Sequence, residues 1–147
     1  MPDPRSMSVK LMDIYDRLYT AYGPQYWWPG DSKFEVIVGA ILTQSTAWTN
    51  VEMAVANMKL AGCWSLESII NIPEEELALL VHSSGYFNEK ARKLKAFANH
   101  VAIYYEGDLS MLLSKPAILH REELLNIHGI GEETADDIMV YAAGQPY

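Results

Sequence analysis

The sequence predicts an all-α fold. Apolar residues recur three and four positions apart in one segment after another, which is the period of a helix face. Glycines, prolines and short polar residues stand at the ends of these segments, where helices start and stop. No stretch alternates apolar and polar residues over the length of a strand. Neither a solenoid period nor a low-complexity segment interrupts the pattern. One helical domain over residues 1–147 is therefore expected, and that length suffices for one core of ordinary size.

The first helix is expected from about Ser8 to Tyr22, with Ser6 or Ser8 as its cap and Gly23-Pro24 as its stop. Val9, Met12, Ile14, Tyr15, Leu18 and Tyr22 give it an apolar stripe. Gln25 to Gly30 reads as a loop, because Pro29 and Gly30 punctuate it, and it carries the adjacent pair Trp27-Trp28. A helix opened by Asp31 or Ser32 then runs from Lys33 to Gln44. It is apolar nearly all round and so belongs at the centre of a bundle. Gly39 and Ala40 would let another helix approach it closely. Thr46 caps a third helix that runs from Ala47 to Leu60 and ends at Gly62, with Val51, Ala54, Val55 and Met58 inward and Trp48 in its first turn. A short helix follows Trp64. Another begins at Pro73, where Glu74, Glu75 and Glu76 suit the first-turn dipole and need no catalytic explanation.

Gly85-Tyr86-Phe87 forms a junction into a long helix that continues through Leu94, Phe97, Val101 and Tyr105 to Gly107. Asp108 caps a short helix through Leu113, and Pro116 separates it from a helix over 117–126. The second helix of that unit runs from about Glu132 to Ala143, so a helix-hairpin-helix spans about 117–143. Between its helices lies His128-Gly129-Ile130-Gly131. The two glycines let the chain reverse in very few residues. The unpaired N–H groups of the turn and of the next helix's first turn can point outward together and receive an anion such as a DNA phosphate. A tight turn between packed helices would look the same locally.

Composition bounds the function. The formal charge of −8 argues against general affinity for nucleic acid through lysines. A hairpin that binds through backbone dipoles is less exposed to that objection, and one local basic run exists in Lys90, Arg92, Lys93 and Lys95. No apolar run approaches the ~20 residues that cross a bilayer, and the N-terminus lacks a signal-peptide core, so no membrane partner is expected. The lone Cys63 allows neither an internal disulfide nor a four-cysteine iron–sulfur cluster. A reducing cytoplasm, at the nucleoid, is the expected setting, a monomer the expected state, and no cofactor is expected within these residues.

Leu124-x-x-Ile127-x-Gly129-Ile130-Gly131-x-x-Thr134-Ala135 resembles the helix-hairpin-helix of the endonuclease III-like, or HhH-GPD, DNA glycosylases. Two further segments resemble the same superfamily in the same order. Leu42-Thr43-Gln44 is similar to a Leu-x-x-Gln segment whose glutamine fills the duplex space left by an extruded base. Gly85-Tyr86-Phe87-Asn88-Glu89-Lys90-Ala91 is similar to a loop–helix junction that faces DNA. Trp27-Trp28-Pro29, then Lys33-Phe34-Glu35, then Leu42-Thr43-Gln44-x-Thr46 look most like the 3-methyladenine DNA glycosylase III branch. Together these matches cover nearly the whole chain.

The resemblance implies a base excision repair enzyme that acts on double-stranded DNA containing damaged bases. It flips an alkylated purine into an aromatic pocket and hydrolyses the N-glycosidic bond. Trp27, Trp28, Pro29 and Trp48 would wall that pocket with Glu133 beside it, although a relative in the branch has phenylalanine where Trp48 stands. Gln44, Gly85, Tyr86, Lys90, His128, Gly129, Ile130, Gly131 and Thr134 would contact DNA. An electron-rich aromatic wall suits a purine made cationic by alkylation at N3 or N7. The catalytic aspartate implied by the family falls near position 151, outside residues 1–147, and any iron–sulfur cluster would also lie downstream. Asp136 and Asp137 come too early in the helix for that role. Bifunctional relatives carry a Schiff-base lysine where this chain has Glu133, which cannot form an imine, so a monofunctional glycosylase is expected. The other readings are a non-catalytic helix-hairpin-helix DNA-binding module, a bifunctional endonuclease III-like lyase, and a helical adaptor using the apolar Tyr26–Pro29 patch.

Overall fold

The computed structural model describes residues 4–146. Among them every regular element is helical: α1 (Pro4–Tyr22), α2 (Lys33–Leu42), α3 (Trp48–Leu60), α4 (Leu66–Asn71), α5 (Glu74–Leu80), α6 (Phe87–Tyr105), α7 (Leu109–Leu113), α8 (Ala117–Leu125) and α9 (Glu132–Asp137). A single 3-10 turn, His82–Ser84, leads into the junction before α6, and α9 continues as a wider π-helical turn over Ile138–Ala142.

The centre of the bundle is α2. Val36 to Leu42 are all buried, and α3, α6, α9 and the π turn pack around them. Each aliphatic side chain so enclosed contributes roughly 1.5–3 kcal/mol through area removed from water. Ser32 starts the helix by accepting from the Glu35 N–H at 3.1 Å, as a cap should. The long α6 lies across α4 and α5 and buries Ala91, Leu94, Phe97, Ala98 and Val101. Its Lys95 turns back over the C-terminus of α4, donating to the carbonyls of Ile69 (2.7 Å), Ile70 (3.1 Å) and Ile72, where orphan carbonyls and the helix dipole favour a cation.

Glu123 of α8 ties the hairpin unit to α6. Its carboxylate accepts from Tyr105 Oη at 2.7 Å and Lys115 Nζ at 2.5 Å, and His100 Nε2 lies 2.6 Å away. Burial pushes this carboxyl up, but the bonds from Lys115, Tyr105 and His100 outweigh it and hold the group at about 2.

Several sequence expectations shift. Among the described residues the first helix covers Pro4–Tyr22, so Ser6 and Ser8 lie within it and not at its expected start near Ser8. None of its residues is buried, and the predicted stripe, including Val9, Met12, Tyr15 and Leu18, faces outward. Ala47, not Thr46, occupies the N-cap of α3, without a side-chain bond. The Thr46 hydroxyl accepts from Asn50 Nδ2 at 3.0 Å instead. The second hairpin helix departs from α geometry at Ile138, and the Ala143 N–H reaches back five residues to the Ile138 carbonyl at 3.0 Å. This wider turn carries Ile138, Met139 and Ala142 into the core.

Candidate functional site

The end of α2, the start of α9 and the middle of α6 converge on one cavity of about 610 Å³. Thr43 and Gln44 come from the turn that follows α2, which ends at Leu42 and not at Gln44 as expected, Gly129 to Thr134 from the hairpin, and Lys93 from α6. The apolar face of α2 packs against α9, which draws Gln44 toward a helix ninety residues later in the chain. Gln44 Nε2 donates to Thr134 Oγ1 at 2.6 Å, and Lys93 Nζ donates to Gln44 Oε1 at 2.8 Å. A lysine ammonium can only donate, so the amide carbonyl must face Lys93 and the amide nitrogen must face the threonine.

The two hairpin glycines are not alike. Gly129 has φ +81°, a left-handed conformation that a Cβ disfavours. A Cβ there would also lie 2.1 Å from Lys93 Cγ, because the lysine stem runs directly over it. Gly131 has φ −88° and meets nothing within 4 Å. It starts α9 with no side-chain cap, leaving the first-turn N–H groups of that helix without capping partners. Ile130, between them, is buried and anchors the turn, and its N–H closes onto the Ile127 carbonyl at 3.1 Å.

Carboxylates of α9 also line the cavity. Glu132, Glu133 and Asp137 all face this cavity. Burial, then the charges of Glu133 and Asp136, raise the Asp137 carboxyl above its ordinary value. The α9 side of the lining is thus acidic, and Lys93 of α6 is the basic residue in the same lining.

Beside this lies an aromatic cluster. Trp28 meets Trp48 edge-on at 5.5 Å, Tyr141 at 5.3 Å and Trp27 at 6.5 Å. Gly39 permits it: a Cβ there would stand 3.1 Å from Trp28 Nε1 and 3.3 Å from Trp48 Cη2. The Trp28 Nε1–H is buried without a partner. Trp28 and Trp48 are 86° apart in plane, so these two rings meet edge to face and not as parallel walls. Pro29 and Trp48 line a separate cleft of about 340 Å³, which the Lys59–Glu35 ion pair also borders. Trp27 is two-thirds exposed.

The basic run divides sharply. Lys90 is 1% exposed and donates to the Ser84 carbonyl at 2.5 Å, so its ammonium does not reach the surface expected to contact DNA. Burial lowers its pKa to about 8, with the Lys93 charge adding to the effect. Arg92 pairs with Glu74 at 3.2 Å and Glu89 at 3.0 Å, and Lys95 serves α4. Of these four cations, Lys93 is the one that lines the hairpin cavity. The Gly85-Tyr86 junction is drawn to the same end of the bundle by Glu89, whose carboxylate lies 3.1 Å from His128 Nε2. Tyr86 is exposed, with φ +44°. The sequence reading places Lys93 only within a basic run, sets Asp137 aside as too early for the catalytic role, and does not name Tyr141. The spacing Glu133, Asp137, Tyr141 does place the last two on one helix face, a signal readable without coordinates.

A family model described as an HhH-GPD superfamily base excision DNA repair protein matches residues 38–144. A Methanocaldococcus jannaschii protein named among the DNA repair glycosylases is 42% identical over 133 residues, covering 90% of this chain and 60% of its own. The solved 3-methyladenine DNA glycosylase of H. pylori, bound to 1,N6-ethenoadenine, superposes with a TM-score of 0.77 at 31% identity, over 95% of this chain and 65% of that one. Endonuclease III trapped in a covalent intermediate with DNA shares the fold, with a TM-score of 0.74 at 20% identity, over 92% of this chain and 60% of its own. The chain thus spans about three-fifths of the length of these relatives.

Proposed function

The chain belongs to the HhH-GPD superfamily of base excision DNA repair proteins, and from that membership we propose that it forms the DNA-reading part of a monofunctional glycosylase for alkylated purines in duplex DNA. The observation that carries this reading is the meeting of Gln44 with the Gly129–Gly131 hairpin at one cavity. The first-turn N–H groups of α9 would hold a phosphate, with Gly131 allowing the backbone to come close. Gln44, beside them, would enter the duplex where a base has left. The flipped base would meet Trp48 and the Trp28–Tyr141 cluster, with Trp27 free to turn toward it.

The acidic wall supports an alkylated substrate. Glu133 and Asp137 favour a positively charged purine over a neutral one, and aromatic faces add a cation–π attraction. Such a base is also a better leaving group. As its bond to C1′ breaks, positive charge grows on the sugar and a carboxylate stabilises it, helping to direct water to the same carbon. The family's aspartate for that step is expected near position 151. Glu133, in the place of the lyase lysine, leaves no amine to form a Schiff base, so the strand stays uncut.

The test uses the whole protein with duplex DNA carrying 3-methyladenine. Release of the methylated base, an intact strand and no borohydride-trapped adduct are expected. A trapped adduct with strand cleavage would assign the lyase chemistry instead. Tight binding to an abasic duplex with no base release would favour the non-catalytic module.

A further inference from the structure

We propose that Lys93 is the positioning residue for Gln44, holding its amide in one orientation at the hairpin before DNA arrives. This rests on the reading of Gln44 as the residue that enters the duplex. A glutamine just beyond the end of a helix ordinarily samples several rotamers, and ordering it on binding costs conformational entropy. Here both ends of the amide are engaged. Lys93 Nζ lies 2.8 Å from Oε1, and Thr134 Oγ1 accepts from Nε2 at 2.6 Å. Because an ammonium has no acceptor, the pair also selects one of the two amide flips.

Lys93 is itself held in place. Its Cγ, Cδ and Cε pass within 3 Å of where a Gly129 Cβ would stand, so the glycine forms the groove that guides the stem to Gln44. The neighbouring cations cannot substitute: Lys90 is bonded to the Ser84 carbonyl, Arg92 to Glu74 and Glu89, and Lys95 to α4. The residue therefore acts through Gln44 and would govern discrimination of an abasic duplex from an intact one, rather than general affinity for phosphate.

The experiment compares wild type, Lys93→Met, Lys93→Arg, Gln44→Ala and the Lys93→Met/Gln44→Ala double variant. Methionine keeps a stem over Gly129 and removes the donor, and thermal melting confirms that each variant folds. Fluorescence anisotropy measures affinity for a duplex with a tetrahydrofuran abasic site and for the same duplex intact. Lys93→Met should lower the abasic preference to that of Gln44→Ala, Lys93→Arg should restore most of it, and the double variant should differ from Gln44→Ala by less than about twofold. Side-chain amide NMR provides a readout without DNA: the two Gln44 Nε2 protons should be dispersed in wild type and collapse toward free-glutamine shifts in Lys93→Met. Equal loss of affinity for both duplexes, or unchanged Gln44 amide resonances in Lys93→Met, would overturn the role of Lys93 alone. A wild-type chain with no abasic preference would overturn the reading of Gln44, and this proposal with it.

Discussion

Replacing Gly129 by alanine should be far more damaging than the same change at Gly131, although both belong to one Gly-x-Gly turn. At Gly129 the φ of +81° costs an L-residue about 1–2 kcal/mol. The new Cβ would also lie 2.1 Å from Lys93 Cγ, close to the root of that side chain, so χ1 of the lysine has to change. Nζ then leaves Gln44, and a partly exposed charge-assisted hydrogen bond of about 1 kcal/mol is lost. The total is about 2–3 kcal/mol, a large share of the stability of an ordinary domain. In a Lys93→Ala background there is no Cγ to meet, and only the backbone term of about 1–2 kcal/mol remains. Gly131, with φ −88° and open space around it, should accept alanine within about 0.5 kcal/mol. Urea denaturation followed by tryptophan fluorescence measures all four variants. Equal losses at the two glycines, or a Gly129→Ala loss unchanged by Lys93→Ala, would refute the close approach as the reason for this glycine.

Three further outcomes follow from the same geometry. Glu123 has a folded pKa of about 2 against an ordinary 4.5, so its stabilisation is complete above pH 4.5 and lost as pH falls toward 2. Glu123→Gln should cost about 2–3 kcal/mol at pH 7 and flatten the acid limb of a pH–stability curve. Lys90 has the opposite sign. Its folded pKa of about 8 lies below the ordinary 10.5, so the unfolded chain binds more protons between those values and stability rises with pH across that window. Lys90→Met should abolish that rise in denaturation curves and leave the salt slope of DNA binding unchanged, because a buried ammonium releases no counterions. Gly39→Val should push Trp28 and Trp48 apart, costing about 1–3 kcal/mol by overpacking and shifting tryptophan emission. An unchanged spectrum would show that the aromatic cluster does not depend on that glycine.

The sequence by itself determined the helical class, the order of the helices and the hairpin. Those depend on local signals: the helical period of apolar residues, prolines at helix starts, and two glycines between two helical runs. The family membership was legible for the same reason, since its motifs are contiguous stretches around Gln44, Gly85 and Gly131. What a side chain reaches across the bundle was not legible. Lys90 and Lys93 look equivalent in a basic run and, three residues apart, lie near one another on α6, but the elements packed against that helix offer each a different partner. One is enclosed under the Ser84 carbonyl, while the other crosses Gly129 to Gln44. The stripe of α1 carries an equally strong helical period, yet none of its residues is buried, because periodicity shows which face of a helix is apolar and not whether anything packs on it. The tryptophans were visible as candidates, but their edge-on contact was decided by the approach that Gly39 permits between a loop and two helices. Local chemistry sets the elements, and long-range packing sets the direction and the partner of each functional group.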